Sequence, residues 1–542
     1  MNKKTSFMYG AMILTAAGVI VKILGALFRI PLGNFIGADG MAYYEAVYPI
    51  YVLLLTIATT GIPIAISRMI SEKIAVDDRG GANRVFKVSM TIMIILGVIL
   101  FCVLFFGADF IASKFQGLSK ASLGMKAIAP ALILVPIMAA FRGYFQGLQD
   151  MKPTAMSQMA EGLFRVVIGL GLAYFLLGMG KEYAAAGGTF GATAGAAAGV
   201  IVIAVIYFKR RKVISFRDKR EEIRQANNYK RESAMTIMKN LFYIAIPITI
   251  GCAIMPLMKY IDLWIVTDRL THAGWDDETV RSLFGQLSGF ASPVVNVPKF
   301  ITQAIAVSMV PAVVRAYKTK DKDFMQHNIT LGMRFAVMIG LPCTVGIMIL
   351  AEPIMLLLYP SQVEDAMGAA SCMFILAIGI VFLASIETLT GVLQGVGKQI
   401  IPVVNLLIGI VVKIFITYTL TPIKDINILG AAIGTVVAYI IATALNYRSV
   451  IIYTGTKFDL KLTFLRPIIA AASMGVVVFG VFMLASPMMG SKFSTVLAIL
   501  LGALVYIIML FVTKSIIPEE LRLFPKGELL LKTYKKITKK SR

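Results

Sequence analysis

Four cysteines and two histidines are all that 542 residues supply of the side chains that most often bind transition metals or build nucleophile–base pairs. Cys102, Cys252, Cys343 and Cys372 each sit inside an apolar run, share no metal-ligand spacing and form no disulfide framework. Acids are scarce too, 29 against 53 Lys and Arg, and only 15% of the chain is charged. No segment alternates apolar and polar residues with the period of two that barrel strands need. The chain offers no framework for a metalloenzyme, a disulfide-stapled domain or a membrane barrel.

What is there is hydrophobic. Apolar residues make up 58% of the chain and the mean hydropathy is +0.81, outside the range of soluble domains. Apolar runs of about 20 residues recur from end to end, the length that crosses a bilayer as a helix. Lipid offers no water to backbone groups, so each run must satisfy them internally. The sequence therefore predicts an all-α polytopic membrane protein of about fourteen transmembrane helices. They fall near 8–30, 43–69, 86–111, 124–147, 154–178, 184–208, 241–266, 283–311, 328–357, 367–392, 402–420, 427–453, 463–485 and 494–514. The opening "MNKKTSFMYGAMILTAAGVIV" imitates a signal peptide, but Lys22 and further apolar residues follow it, so it reads as an uncleaved first span.

The formal charge of +24 would suggest nucleic acid in a soluble protein. Here the basic residues gather in loops after even-numbered spans, such as "RAYKTKDKD" and "KRRKVISFRDKREEIRQANNYKRE". The positive-inside rule accounts for them with no nucleic-acid partner and places both termini in the cytoplasm, beside anionic phospholipid. The expected organisation is an N-terminal lobe over 1–208, a basic linker over 209–240, a C-terminal lobe over 241–455, two further helices within 456–516 and a basic tail over 517–542.

The two lobes echo each other. "GYFQGLQDMKP" at 143–153 leads to Arg165, and "GVLQGVGKQIIP" at 391–402 leads to Lys413. The spacings agree, since 165 − 143 and 413 − 391 are both 22. "GATAG" at 191–195 is matched by "GAAIG" at 430–434, small residues that let helices approach closely. Two lobes of six helices in the same orientation make a parallel repeat, an arrangement transporters build around a central site.

Charges inside the spans mark candidate function. Lys22 and Arg29 share one stripe of the first span with Gly18 and Gly25, at offsets of four and seven residues. Glu161 and Arg165 lie one turn apart in the fifth span, and Gly409 and Lys413 occupy the matching positions of the eleventh. Lys259 and Asp262 are three apart in the seventh span and either neutralise each other or serve the site. Lys299 follows a proline in the eighth, and Glu45 and Glu387 complete the set. Arg68 and Arg315 lie near span ends and snorkel to headgroups, and Arg142 fits either snorkelling or a cavity wall. Lys22, Arg165, Lys299 and Lys413 are about mid-span, where intramembrane charge defaults to function. Seven cations (Lys22, Arg29, Arg142, Arg165, Lys259, Lys299, Lys413) face four acids (Glu45, Glu161, Asp262, Glu387), a surplus of 7 − 4 = 3. At roughly 3 kcal/mol each, that surplus costs about 9 kcal/mol in lipid, and a water-filled cavity between the lobes that accepts an anion removes the cost.

"GYFQG", "IPLGNFIGADG" after the first span and "AVSMVPAVVRAY" closing the eighth resemble the multidrug/oligosaccharidyl-lipid/polysaccharide exporter superfamily. Within it the fourteen-span layout looks like the lipid II flippases and their stage V sporulation relatives, over essentially the whole chain. The resemblance implies a V-shaped cavity, alternating access, and capture of an isoprenoid-linked anionic glycolipid by cations that map onto Lys22, Arg29 and Lys299. It also implies a groove for the lipid tail along 463–485 and 494–514, and a monomer in the bacterial cytoplasmic membrane. The best-known branch carries arginines midway along the second span, where this chain reads "LLLTIATTG", so phosphate contacts would be redistributed to Arg165 and Lys413.

Two rival classes fit less well. A cation-coupled multidrug antiporter on the same scaffold wants an acidic cavity, which the surplus of cations opposes, although Glu161 and Asp262 offer a place for Na⁺ or H⁺. A glycosyltransferase or ligase needs a catalytic acid or base on an outer loop, and only 267–282 supplies one, with Asp268, His272, Asp276, Asp277 and Glu278. "GVLQGVGKQ" lacks the spacing and the Ser or Thr of a P-loop. The expectation is a transporter with no catalytic residues, no bound metal and no cofactor. A coupling ion or the membrane potential would supply its drive.

Overall fold

The computed structural model describes residues 3–115, 117–225 and 232–516, and among them there are helices and turns but no strands. Two compact units divide at Gly285. The first holds α1 (Lys3–Thr59), α2 (Gly61–Ala75), α3 (Arg79–Ala112), α4 (Ala121–Ile128), α5 (Ala131–Gly147), α6 (Lys152–Leu176), α7 (Lys181–Gln225), α8 (Ala234–His272) and α9 (Asp277–Gly285). The second opens with a π-helical turn, Gln286–Ala291, then α10 (Ser292–Val295), α11 (Val297–Thr319), α12 (Lys322–Ile349), α13 (Ala351–Leu358) and α14 (Val363–Gly395). It continues through α15 (Ile400–Leu420), α16 (Leu429–Thr454), α17 (Arg466–Met489) and α18 (Ser491–Val512). The expected tail over 517–542 lies outside the described residues.

Eleven helices among the described residues are long and apolar enough to cross a membrane, and twelve if the bent α8 counts as one span. The all-helical, multi-pass class expected from hydropathy is therefore the class observed, with a count close to fourteen. One difference arises because 8–30 and 43–69 do not separate at a loop. The chain stays helical from Lys3 to Thr59 as α1, turning at Gly37, whose φ of 68° and ψ of −178° suit a residue without Cβ, and the second expected span finishes beyond Thr60 in α2. The other is the segment 283–311, where the π-turn and short α10 interrupt the helix before α11, which carries Lys299 and Gln303. The basic stretch 209–240 is helical through Gln225 and again from Ala234, with 226–231 outside the described residues.

Local chemistry starts and stops these helices. Asp78 caps α3 by accepting from Gly81 N–H at 2.7 Å, Asp321 caps α12 through Phe324 N–H at 2.9 Å, and Ser233 caps α8 through Thr236 N–H at 3.1 Å. Pro153, Pro298 and Pro467 stand in first turns, where their missing N–H costs nothing. α16 ends on Gly455 with φ of 69°.

The sequence repeat reappears as a repeat of contacts inside each unit. A Cβ on Gly143 would fall 2.9 Å from the Pro63 carbonyl oxygen, and one on Gly147 would fall 2.8 Å from Ile70 Cβ, so α5 lies against α2. A Cβ on Gly391 would fall 2.7 Å from the Ala306 carbonyl oxygen, and one on Gly395 would fall 2.8 Å from Val313 Cβ, so α14 lies against α11 in the same way. The second glycine motif does the same work one helix pair later. Gly195 on α7 faces the Glu161 carbonyl oxygen and Arg165 Cβ, and Gly434 on α16 faces the carbonyl oxygen and Cγ of Lys413. At the next matched position the small residue changes sides. Gly199 on α7 receives Glu161, while Gly409 on α15 sits against Ala438 on α16. The space a carboxylate side chain fills in the first unit is taken up by closer backbone approach in the second.

In the second unit, α17 and α18 pack on each other and against α12 and α13. Met338, Leu350, Met474, Ala498 and Leu510 form their buried seam, and Tyr506 O–H donates to the Met338 carbonyl oxygen at 2.8 Å.

Candidate functional site

The first unit brings Arg142, Glu161 and Arg165 together from two helices. Arg142 Nη2 on α5 donates to Glu161 Oε2 at 3.0 Å, and Arg165 Nη2 on α6 donates to Glu161 Oε1 at 3.1 Å. Arg142 Nε also donates to Ser157 Oγ at 2.9 Å. Ser157, Glu161 and Arg165 are spaced four apart and so share one face of α6. The glycines of α7 press that helix into place, since a Cβ on Gly191 or Gly195 would lie 2.5 Å from the carbonyl oxygens of Arg165 and Glu161 respectively. One carboxylate thus serves two guanidiniums, and the cluster keeps a net charge of +1. The Arg142 side chain is 16% exposed and spends its donors on Glu161 and Ser157.

A second pair lies on α1 across its kink, where Arg29 Nη1 and Glu45 Oε1 are 2.8 Å apart. Lys259 on α8 is near enough for its charge to act on Glu45, and α8 packs along α1. Asp262 stands one turn further along α8. Lys22 is on α1 as well, but its side chain lies outside the described residues. In the second unit Lys299 Nζ on α11 meets Glu387 Oε1 on α14 at 3.0 Å, 88 residues away in sequence (387 − 299 = 88). Lys413 stands on α15 behind Gly434. The Ser157 equivalent, Asn405, is buried and donates to Asn446 Oδ1 at 2.8 Å and Ser449 Oγ at 3.3 Å.

These mid-span charges divide between the two units. The first has Arg29, Arg142, Arg165 and Lys259 against Glu45, Glu161 and Asp262. The second has Lys299 and Lys413 against Glu387. Each carries a surplus of one cation before Lys22 is counted. Arg68, expected to snorkel, is exposed and pairs with Glu72 at 2.9 Å, and Arg315 lies over the Phe324 ring at 6.0 Å.

Sequence reasoning passed over three features. Tyr44, Tyr48 and Tyr51 on α1 stand at offsets of zero, four and seven, the spacing of a single helical face, with ring centroids 4.8 Å and 6.2 Å apart in succession. The signal was present in "YYEAVYPIY" and reads equally as core packing. Arg334, mid-helix in α12, is buried and donates to the Ser515 carbonyl oxygen. Asp39, just after the Gly37 kink, pairs with Arg281 on α9 and, at 3.6 Å, with Lys181 at the start of α7. Nearby, Lys120 donates to Glu182 at 2.7 Å, and that bond holds the ammonium above its ordinary range. Two of the loop acids considered for catalysis, Asp276 and Asp268, have structural roles. Asp276 caps α9, and its carboxyl is held below the usual range by the hydroxyl and backbone bonds of Thr279. Asp268 is paired with Arg269. No cluster of three metal-ligating side chains occurs among the described residues.

Apolar helices of this number, broken by paired charges at mid-span, define a multi-pass membrane protein with a polar site inside its helical units. Comparison with known proteins gives the class a family. Residues 7–317 match the polysaccharide biosynthesis protein family and residues 288–419 match the MatE family. Stage V sporulation protein B of Bacillus subtilis (strain 168) is 28% identical over 447 residues, covering 82% of this chain and 84% of that protein. Lipid II flippase MurJ of the same organism is 28% identical over 488 residues, covering 86% and 87%. A solved structure of lipid II flippase MurJ in an inward closed conformation superimposes with a TM-score of 0.65 at 15% identity, covering 92% of this chain and 98% of that one. This chain belongs to the polysaccharide biosynthesis protein family, within the multidrug/oligosaccharidyl-lipid/polysaccharide exporter superfamily. It is a membrane transporter and not an enzyme.

Proposed function

We propose that this chain is a flippase that carries an undecaprenyl-pyrophosphate-linked peptidoglycan precursor, lipid II, from the inner to the outer leaflet by alternating access. The observation that carries the reading is the Glu161 bridge, because two guanidiniums on one carboxylate leave a positive charge inside a membrane span. That charge is costly in lipid and is offset by an anion. Pyrophosphate would be held by Arg29, Arg142 and Arg165 with Lys22 alongside, and Lys299 and Lys413 would supply the second unit's own attraction for an anion. Glu161 positions the two arginines, and Glu45, Glu387 and the Lys259–Asp262 turn set the local charge. The isoprenoid tail would run along α17 and α18, whose outer faces expose Val476, Leu484 and Leu500. No cofactor enters. Drive comes from a coupling Na⁺ or H⁺ at Glu161 and Asp262, or from the membrane potential acting on the surplus cations. Both termini lie in the cytoplasm of a bacterial cell, on the basic side of the membrane.

Stage V sporulation protein B is as similar to this chain as the lipid II flippase is, which favours a second reading in which the cargo is another lipid-linked polysaccharide. Complementation separates them. Wild-type protein should rescue a strain depleted of its lipid II flippase. Arg165→Ala and Lys299→Ala should not, at equal membrane levels. Rescue by both variants removes the anion site from the account, and failure of the wild type moves the cargo to another glycan.

A further inference from the structure

A polar cavity lies apart from the charge clusters described above, between the last two turns of α2 and the start of α8. Its volume is about 250 Å³, and its polar lining is Arg68, Glu72 and Lys73 of α2, Glu232 just before α8, and Asn240 and Tyr243 of α8. The two helices diverge to make it. A Cβ on Gly61 would fall 2.2 Å from the Ala245 carbonyl oxygen, so α2 and α8 touch at that level, and the cavity opens where α2 reaches Arg68. At the far end Lys73 Nζ meets Glu232 Oε1 at 2.6 Å and ties the two segments together again.

The lining holds donors and acceptors that the protein does not use up. Arg68 Nε is held by Glu72 Oε1 at 2.9 Å, which leaves the terminal guanidinium N–H groups and the other Glu72 oxygen without partners among the described residues. The other Glu232 oxygen, the Asn240 amide and the Tyr243 hydroxyl have none there either. Two cations and two carboxylates give the lining no net charge, 2 − 2 = 0. A simple anion would gain from Arg68 and lose to Glu72 and Glu232. A headgroup that carries both a phosphate and a primary ammonium satisfies both signs.

Apolar surface leads away from the cavity on both helices. Ile64, one turn before Arg68 on α2, is 51% exposed, and Ile246 and Ile250, three and seven residues beyond Tyr243 on α8, are 52% and 63% exposed. Those spacings keep each row on one helical face, so acyl chains can follow the headgroup along the apolar stretch.

We propose that the α2–α8 cavity binds the headgroup of a bilayer aminophospholipid, with its phosphate on Arg68 and its primary ammonium on Glu72 and Glu232. Asn240 and Tyr243 add neutral hydrogen bonds, and an exposed tyrosine near the end of a span is the residue type that sits at headgroup level. The lipid fastens α2 to the start of α8 where the direct helix contact lapses. It is a component of the bilayer and not the cargo.

The test offers phosphatidylethanolamine, phosphatidylcholine and phosphatidylglycerol of matched acyl chains to delipidated full-length protein and reads the adducts by native mass spectrometry. Phosphatidylcholine keeps the phosphate but has no ammonium N–H to donate, so wild type should prefer phosphatidylethanolamine over it about tenfold, the worth of one charge-assisted hydrogen bond. Arg68→Gln should weaken the phosphatidylethanolamine adduct by a similar factor. Glu72→Gln should erase the preference and strengthen the phosphatidylglycerol adduct, because the lining then carries +1. Both side chains are more than half exposed, 65% and 61%, so the variants should fold as wild type does. Equal adducts of all three lipids on wild type, unchanged by either substitution, would overturn the site. So would an Arg68-dependent adduct of phosphatidylglycerol alone. An Arg68-dependent adduct with the mass of an undecaprenyl-linked glycan would assign the cavity to the cargo, overturning this inference while leaving the flippase reading in place.

Discussion

Replacing Glu161 with Ala takes away the acceptor that two guanidiniums share. Both bonds, at 3.0 and 3.1 Å, are charge-assisted, a class worth about 1.5–3 kcal/mol each. The two arginines are left in different states. Arg142 retains Ser157 Oγ at 2.9 Å, whereas Arg165 has no second acceptor among the described residues. The loss should therefore concentrate on Arg165 and approach the cost of stranding one buried charge, about 3–5 kcal/mol. Glu161→Gln keeps a carbonyl oxygen in place and should cost roughly half as much. Adding Arg165→Met to Glu161→Ala removes the stranded charge and should recover about 2 kcal/mol, because an apolar replacement for a whole ion group is often close to neutral. Denaturant unfolding in bicelles, followed through Trp264 and Trp275, measures all three. If Glu161→Ala stays within 1 kcal/mol of wild type, the bridge carries no structural charge and the reasoning fails.

Further perturbations reach other parts of the fold. A Cβ on Gly285 would fall 1.8 Å from the Ala38 carbonyl oxygen, so Gly285→Ala must push α9 off α1 and should sharply reduce the folded yield in a fluorescence size-exclusion profile. Lys299→Glu and Glu387→Lys should each abolish complementation, and the double reversal should restore stable protein at normal membrane levels, scored by immunoblot. A deletion of three residues within "REEIRQANN" should be tolerated in the same complementation assay, since that stretch is a charged connector.

The sequence made the helical class legible because hydropathy over 20 residues is a local property, and the repeat legible because glycine spacing survives where other residues drift. Gly143 and Gly147 against α2, and Gly391 and Gly395 against α11, are the structural meaning of the "GYFQG" and "GVLQG" match. The partnership of Glu161 with Arg165 was readable from one helical turn. Its partnership with Arg142 was not, because the two lie 19 positions apart across a helix boundary. Lys299 and Glu387 were each visible as mid-span charges but could be joined only by the packing of α11 on α14. The fusion of the first two spans escaped notice for a different reason. "GNFIGADG" has the composition of a loop, and only the backbone shows that a single residue, Gly37, makes the turn.

The central claim is that the surplus cations hold a pyrophosphate-linked isoprenoid glycolipid. Native mass spectrometry of wild-type protein purified from its own membrane, beside Arg165→Ala, tests it directly. The account predicts an adduct with the mass of an undecaprenyl-pyrophosphate glycan on the wild type, at least tenfold depleted on the variant. Adducts of ordinary phospholipid alone, equal on both proteins, would contradict it.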